Sequence, residues 1–469
     1  MMAWRIVPWL LLLASLPALA VEPRPPRPED IAFPVSDWVA PSPEKARRQT
    51  PGGTPVYFQT QDLQRRIAVE VILRSADAPF PEFASAWSLL LAEGAPRGTD
   101  AAAFRKDLER AGARIVAGDR GGLPSLTLTA PPAGFEKPLD LFRSLLQAPA
   151  FTAPALDAVR DRLVSLRAIT EREPGFLEAR AWRRLAAGDP GPAGARQTAL
   201  RPADLEAFHA AFVHPGRVLV AVAGPMTEAA AIAWARGTFD SLPPGKPAPT
   251  VAPGVPAGPL GVFVAPAPGP LVFVAAGFPC PGPGIKGPDP ALCLAAAVVE
   301  NRVLETMRKA FKTPPLLFEH CERNPWRYEG SRFGFALPPR QALEALKAIL
   351  DEASGLASDL PRQEELWAAQ GSLLQAPLLH LAEGKDTAGF FAAAEAHWGA
   401  PMSDAFLREG FLGIANEEIA EAARRWLSPG RFLAVVSGPV KEIEEELGRL
   451  KFGEMGVAVV KTASLSADD

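Results

Sequence analysis

Apolar positions between residues 139 and 166 recur at helical spacing. Leu139, Phe142, Leu145 and Leu146 share one face, and Leu156, Val159, Leu163 and Leu166 follow at steps of three, four and three. Phe83 to Ala92 is a compact apolar helix candidate, and Ala101 to Ala111 is another, stopped by Gly112. Shorter β-rich runs read as strands: Val56 to Phe58, Ile67 to Arg74, and the pair Ala113 to Ala117 and Pro124 to Ala130 around the turn residues Gly118 to Gly122. The order is strands, helices, a hairpin, long helices and a closing strand. It predicts an α+β fold with helices on one face of a mostly antiparallel sheet.

The closing strand occurs twice. Pro215-Gly216-Arg217-Val218-Leu219-Val220-Ala221-Val222-Ala223-Gly224-Pro225 returns as Pro429-Gly430-Arg431-Phe432-Leu433-Ala434-Val435-Val436-Ser437-Gly438-Pro439, 214 positions later and without a gap. Glu228 and Glu442 keep the register. Helical stretches led by Asp204 and Glu206 and by Glu417 and Glu418 precede the two copies. A shared register over matching turn residues indicates a duplication of two homologous halves. The Pro/Gly-rich stretch 243–259 reads as the linker between a domain at 55–242 and one at 260–459, followed by a tail at 460–469. Residues 21–54 are Pro-rich and read as an extended lead-in. At the amino terminus, Arg5, the apolar run Ile6 to Leu16 and Ala18-Leu19-Ala20 form a signal-peptide pattern over 1–20. The run is short for a bilayer span, which needs about 20 residues. The expectation is export across an inner membrane to the periplasm, with no stable membrane insertion.

Composition narrows the chemistry. With 49 basic against 53 acidic residues and a net charge of −4, there is no electrostatic footprint for nucleic acid. The five histidines, His209, His214, His320, His380 and His397, all lie beyond residue 208, so the first 208 residues have no imidazole for metal binding or proton transfer. Three cysteines, Cys280, Cys293 and Cys321, permit one bridge at most, and their pairing stays open beside a role as small buried hydrophobes. Glu319-His320-Cys321-Glu322 combines ligand types, but neighbours on a strand point to opposite faces. His380 and His397 fall in helix-like sequence. Phosphate-loop, nucleophile-elbow and Cys-x-x-Cys motifs are absent.

In the order and spacing of these segments the chain resembles the M16 (insulinase, pitrilysin-like) zinc metallopeptidases. The segments that carry the resemblance are Ala111-Gly112-Ala113-Arg114 with its hairpin, Leu200-Arg201-Pro202-Ala203-Asp204-Leu205 through Gly224, and the second-half helix Asn301 to Arg308. It implies a LuxS/MPP-like metallohydrolase fold enclosing a cavity for extended peptide. It also implies an inverted His-x-x-Glu-His zinc motif on the first long helix, with a distal Glu completing the ligands. Here those positions fall on Leu89, Ala92 and Glu93. Near the distal position stands Ser165, with Glu171 and Glu173 close by. Two apolar side chains and one carboxylate cannot supply the three ligands that zinc catalysis requires. The expectation is no catalytic residue, no metal and no cofactor in this chain, with zinc only in a partner subunit. In the second half Arg308 matches a substrate-holding Arg, with a solvated Arg paired to Glu305 as the alternative. The companion Tyr position falls near Pro314-Pro315, far from Tyr328, and the glycine-rich loop of some noncatalytic partners would fall at Val298 to Glu300 and is absent. The implied function is a noncatalytic peptide-binding subunit of a heterodimer with a zinc-bearing M16 chain, an edge strand such as Pro124–Ala130 taking the peptide. A stand-alone peptide-binding or chaperone-like protein of the same fold is the alternative, followed by a metallopeptidase with substituted ligands.

Overall fold

The computed structural model describes residues 39–59, 66–75, 81–170, 175–187, 200–246, 260–280, 289–311, 316–320, 330–382, 386–449 and 460–461. Strands β1 (Arg47–Gln49), β2 (Pro55–Gln59), β3 (Ile67–Leu73), β4 (Arg114–Asp119), β5 (Pro124–Ala130) and β6 (Val218–Ala223) form one sheet, ordered β1-β2-β6-β3-β5-β4. Strands β7 (Gly261–Pro266), β8 (Val272–Pro279), β9 (Leu316–His320), β10 (Gly330–Leu337), β11 (Leu433–Gly438) and β12 (Val460–Lys461) form the other, ordered β12-β7-β11-β8-β10-β9. Apart from the outermost strands, β1 antiparallel to β2 and β12 parallel to β7, the two sheets share one plan. β2 runs parallel to β6 and β7 parallel to β11, while β3, β4, β5 and their counterparts β8, β9, β10 pair antiparallel.

The duplication reaches individual atoms. Helix α7 (Pro202–Phe212) opens with the Arg201 amide donating to Asp204 Oδ2 at 3.0 Å, and 214 positions on the Ala415 amide donates to Glu418 Oε2 at 2.9 Å. Gly224 and Gly438 have φ of 111° and 119°. A Cβ on either would lie 2.4 or 2.5 Å from the carbonyl oxygen of Arg66 or Leu271, so glycine is required at both strand ends.

Helices cover one face of the first sheet: α2 (Pro81–Glu93), α3 (Ala101–Arg110), α4 (Glu136–Gln147), α5 (Ala153–Thr170), α7 and α8 (Glu228–Ala235). Trp87, Phe142, Leu205, Phe208 and Trp234 are buried between them and the sheet. In the second half α9 (Pro290–Ala310), α10 (Pro339–Leu356) and α14 (Asn416–Trp426) do the same. The opposite faces are covered too, each by a helix of the other half. Helix α12 (Thr387–Trp398) lays Phe390 and Phe391 on Tyr57, Ile72 and Leu219 of the first sheet. Helix α6 (Phe176–Ala187) lays Trp182 on Phe263, Ala275, Leu433 and Val435 of the second, and the Trp182 indole donates to the Leu433 carbonyl at 2.9 Å. This exchange ties the halves together and explains why β6 and β11 are apolar on both sides.

Two expectations change. The lead-in does not stay outside the core at its end. Helix α1 (Pro43–Ala46) and β1 belong to the fold, and Ser42 Oγ donates to Asp404 Oδ1 of the second half at 2.7 Å. Pro124–Ala130 is not an edge strand. As β5 it is paired on both sides, by β3 and β4, and the sheet ends at β4. Apolar alternation does not distinguish an inner from an outer strand when both lie over a core.

Candidate functional site

Helix α2 lies against β4 and β5, with α5 beside it. Its inward face buries Ala84, Trp87, Leu90 and Leu91, which fixes its rotation. Leu89 and Ala92 are half-buried and pack on the same core. Glu93, in the last turn, meets the guanidinium of Arg162 on α5, and Arg105 of α3 donates to the Glu93 carbonyl at 3.3 Å. Two cations therefore stand at the negative end of α2. Ser165, one turn beyond Arg162, is exposed and donates to the Asp161 carbonyl at 2.8 Å. Glu171 and Glu173 lie outside the described residues.

These residues do not fit a metal ion. Leu89 and Ala92 carry no donor atom, and the one carboxylate is already engaged by a guanidinium that would repel a cation. Among the described residues no group of three or more His, Cys, Asp or Glu side chains is arranged to hold a metal. Beside this position runs β4, whose outer edge has no partner strand among the described residues. Its backbone N–H and C=O groups are thus available to an added strand.

The histidines serve the fold. His209 Nδ1 accepts from the Trp87 indole at 3.0 Å, and the two rings stack with centroids 6.3 Å apart. Burial lowers the His209 pKa to about 4 against a weaker opposing bond with the Leu146 backbone, so the ring is neutral near pH 7. His214 Nδ1 accepts from the Gly216 amide at 3.2 Å, and burial followed by the charge of Arg217 lowers its pKa. His397 Nε2 lies 2.6 Å from the Arg120 carbonyl oxygen across the junction of the halves. The side chains of the Glu319–Glu322 cluster and of His380 lie outside the described set, as do Cys321 and Tyr328. Cys280 and Cys293 are buried in the second core, and the Cys280 thiol donates to the Phe278 carbonyl at 3.3 Å. Arg308 is exposed in the last turn of α9, while Glu305 pairs with Lys309 at 2.7 Å. It is not brought to the Leu89–Glu93 position by any described contact.

The largest polar constellation was not picked out by sequence. Glu395 of α12 accepts from Arg47 at 2.7 and 3.0 Å, from Arg74 at 3.0 Å and from the Tyr57 hydroxyl at 2.7 Å. Glu70 of β3 accepts from Arg120 at 2.9 and 2.6 Å, and Arg120 also meets Asp386. The available signal was a lone carboxylate inside the mostly apolar run Ala388–Ala396.

Residues 199–311 match a family model described as the peptidase M16 inactive domain. No curated protein matches the sequence. Among solved structures, the chain is similar to a peptidase M16 inactive domain from Pseudomonas fluorescens, at 21% identity and a TM-score of 0.68 over 84% of this chain and 98% of that one. It is similar to a protease from Helicobacter pylori, at 16% identity and a TM-score of 0.62 over 83% and 98%. A third, a mutant of the ferredoxin protease FusC in complex with Arabidopsis ferredoxin, aligns at 14% identity and a TM-score of 0.59, over 86% of this chain and 46% of that one. At these identities the structural likeness establishes the shared fold.

Proposed function

We propose that the chain is an M16-family member without the zinc motif, a noncatalytic subunit which holds extended peptide and complements a zinc-bearing M16 partner in proteolysis; the match of residues 199–311 to the inactive-domain model and the shared fold support this. The observation that carries this is the Glu93–Arg162 ion pair beside an open sheet edge. The side chains at the hydrolytic position no longer offer a metal site, while the neighbouring strand β4 keeps the free backbone groups that capture a peptide by strand addition. The FusC structure was obtained with a protein bound, which favours a polypeptide ligand for this fold. The signal-peptide pattern supports export to the periplasm, and among the described residues no helix is long and apolar enough to cross a membrane. Arg308 is kept as a candidate substrate contact from the second half.

The test mixes the purified chain with a zinc-carrying homologue and follows co-elution and peptidase activity. The expected result is a complex with activity above that of the homologue alone. No complex and no gain contradicts the partner role. Peptide titration in the absence of any partner then separates a stand-alone binder from a subunit that requires its partner. Chelator-sensitive cleavage by the chain alone would instead revive a metallopeptidase with substituted ligands.

A further inference from the structure

The register across the first sheet places Arg114, Thr129, Ala68, Ala223 and Gln59 in one row, from β4 through β5, β3 and β6 to β2. The adjacent row is Val116, Thr127, Glu70, Ala221 and Tyr57. Ile115 packs into the core on the helix side, so by alternation Arg114 and Val116 point to the opposite face, the one that α12 covers over Tyr57 and Ala221. That cover stops short of the Arg114 row. Thr129, Ala68, Ala223 and Gln59 are only half-buried, and Arg114 is exposed. Val116 is 46% exposed at the strand edge. The row is thus a shallow trough with a floor of two alanines, a threonine hydroxyl above them and a guanidinium on its rim.

The Arg114 side chain makes no hydrogen bond or ion pair with a described residue, so among the described residues its charge is uncompensated. Arg66 stands at the same end of β4, donating to the Gly112 carbonyl at 2.5 Å and meeting no carboxylate among the described residues. In the adjacent row on this face, the carboxylate of Glu70 is held by both arms of Arg120. Asp119 lies at the far end of β4, five residues or about 17 Å away, on the opposite face by alternation, and accepts from the Gly122 amide at 2.8 Å. On the Arg114 face an added strand meets positive charge at the Arg114 end of its path.

We propose that the β4 edge selects extended peptides carrying Asp or Glu opposite Arg114, so that the segments this chain holds are acidic at that position. This rests on the reading of the chain as a peptide binder and names the peptide class.

The test is fluorescence anisotropy on the full chain at low salt, with labelled ten-residue peptides of Ser, Thr, Val and Gly. One peptide is neutral, and others carry a single Asp or Lys moved along the sequence. One register is expected in which Asp tightens binding by about three- to fivefold over neutral, with Lys weakening it. The gain fades as salt rises and as the Asp moves four residues along the strand, which keeps it on the same face but away from Arg114. Arg114→Ala is expected to flatten the Asp-to-Lys affinity ratio, and Arg114→Glu to invert it. Thermal unfolding of both variants checks that the fold is kept. Binding that ignores peptide charge, or a ratio that survives in Arg114→Ala, overturns the inference while leaving peptide binding intact. Binding of no peptide at all removes the parent reading and the inference with it.

Discussion

Substituting Glu395 by Gln removes one charge from the junction of the halves and keeps the side-chain shape. Its side chain is only 4% exposed and receives four donor groups: two from Arg47, one from Arg74 and the Tyr57 hydroxyl. The variant leaves two largely buried guanidiniums facing a neutral amide, whose own N–H₂ points at further donors. Breaking a buried pair from one side costs about 3–5 kcal/mol, because the remaining charge stays desolvated. The same change at a surface pair is worth far less. Arg48 and Glu228 are also 2.7 Å apart, but 40% and 42% exposed, so Arg48→Ala is expected to cost under about 1 kcal/mol. Urea unfolding followed by tryptophan fluorescence compares the three proteins at pH 7 and at lower pH. Burial alone would raise the Glu395 pKa, but the Arg47 bond and the charges of Arg47 and Arg74 outweigh it and the pKa is lowered. A lowered folded-state pKa gives stability that is present above the unfolded carboxylate pKa and lost as pH falls through the folded one. The gap between wild type and Glu395→Gln must therefore narrow in acid. A loss below about 1 kcal/mol at pH 7, or a gap that stays constant into acid, refutes the reasoning.

Trp182→Ala empties the site where α6 covers the second sheet and removes the indole bond to Leu433, so a loss of about 3–5 kcal/mol in chemical unfolding is expected. His209, with its pKa lowered to about 4 by burial, should titrate by NMR near that value rather than near 6.5. The unfolded chain takes up this proton first, so stability attributable to His209 is full above about pH 6.5, declines as pH falls towards 4 and then levels off. Replacing His209 by a neutral aromatic should flatten that part of the stability–pH curve.

The duplication was legible because the turns demand particular residues. Gly224 and Gly438 can be nothing larger, and Asp204 and Glu418 cap equivalent helices, so register survives where the rest of each half has diverged. The helices around residues 101–147 were legible because each buries one periodic face, and the strands β2 and β3 because they are short apolar runs rich in β-branched or aromatic residues. The exchange of α6 and α12 was not legible. Nothing local in Phe176–Ala187 says which half it will cover, and Thr387–Trp398 is buried all round, which marks a covered helix without naming its cover. The edge position of β4 rather than β5 depends on sheet order, which periodicity does not encode. The lack of metal-binding groups at Leu89 and Ala92 was plain from the residue types. The guanidinium that now meets Glu93 was not, because Arg162 is one of several charges on a long amphipathic helix and only packing of α5 against α2 brings it there.

Elemental analysis of the purified full chain, joined to thermal unfolding with and without a chelator, bears most directly on the proposal that the first half holds no metal. Zinc far below one ion per chain and an unfolding midpoint unmoved by the chelator are the predicted results. One tightly held zinc per chain, placed by anomalous scattering among side chains of the first half, would contradict the account.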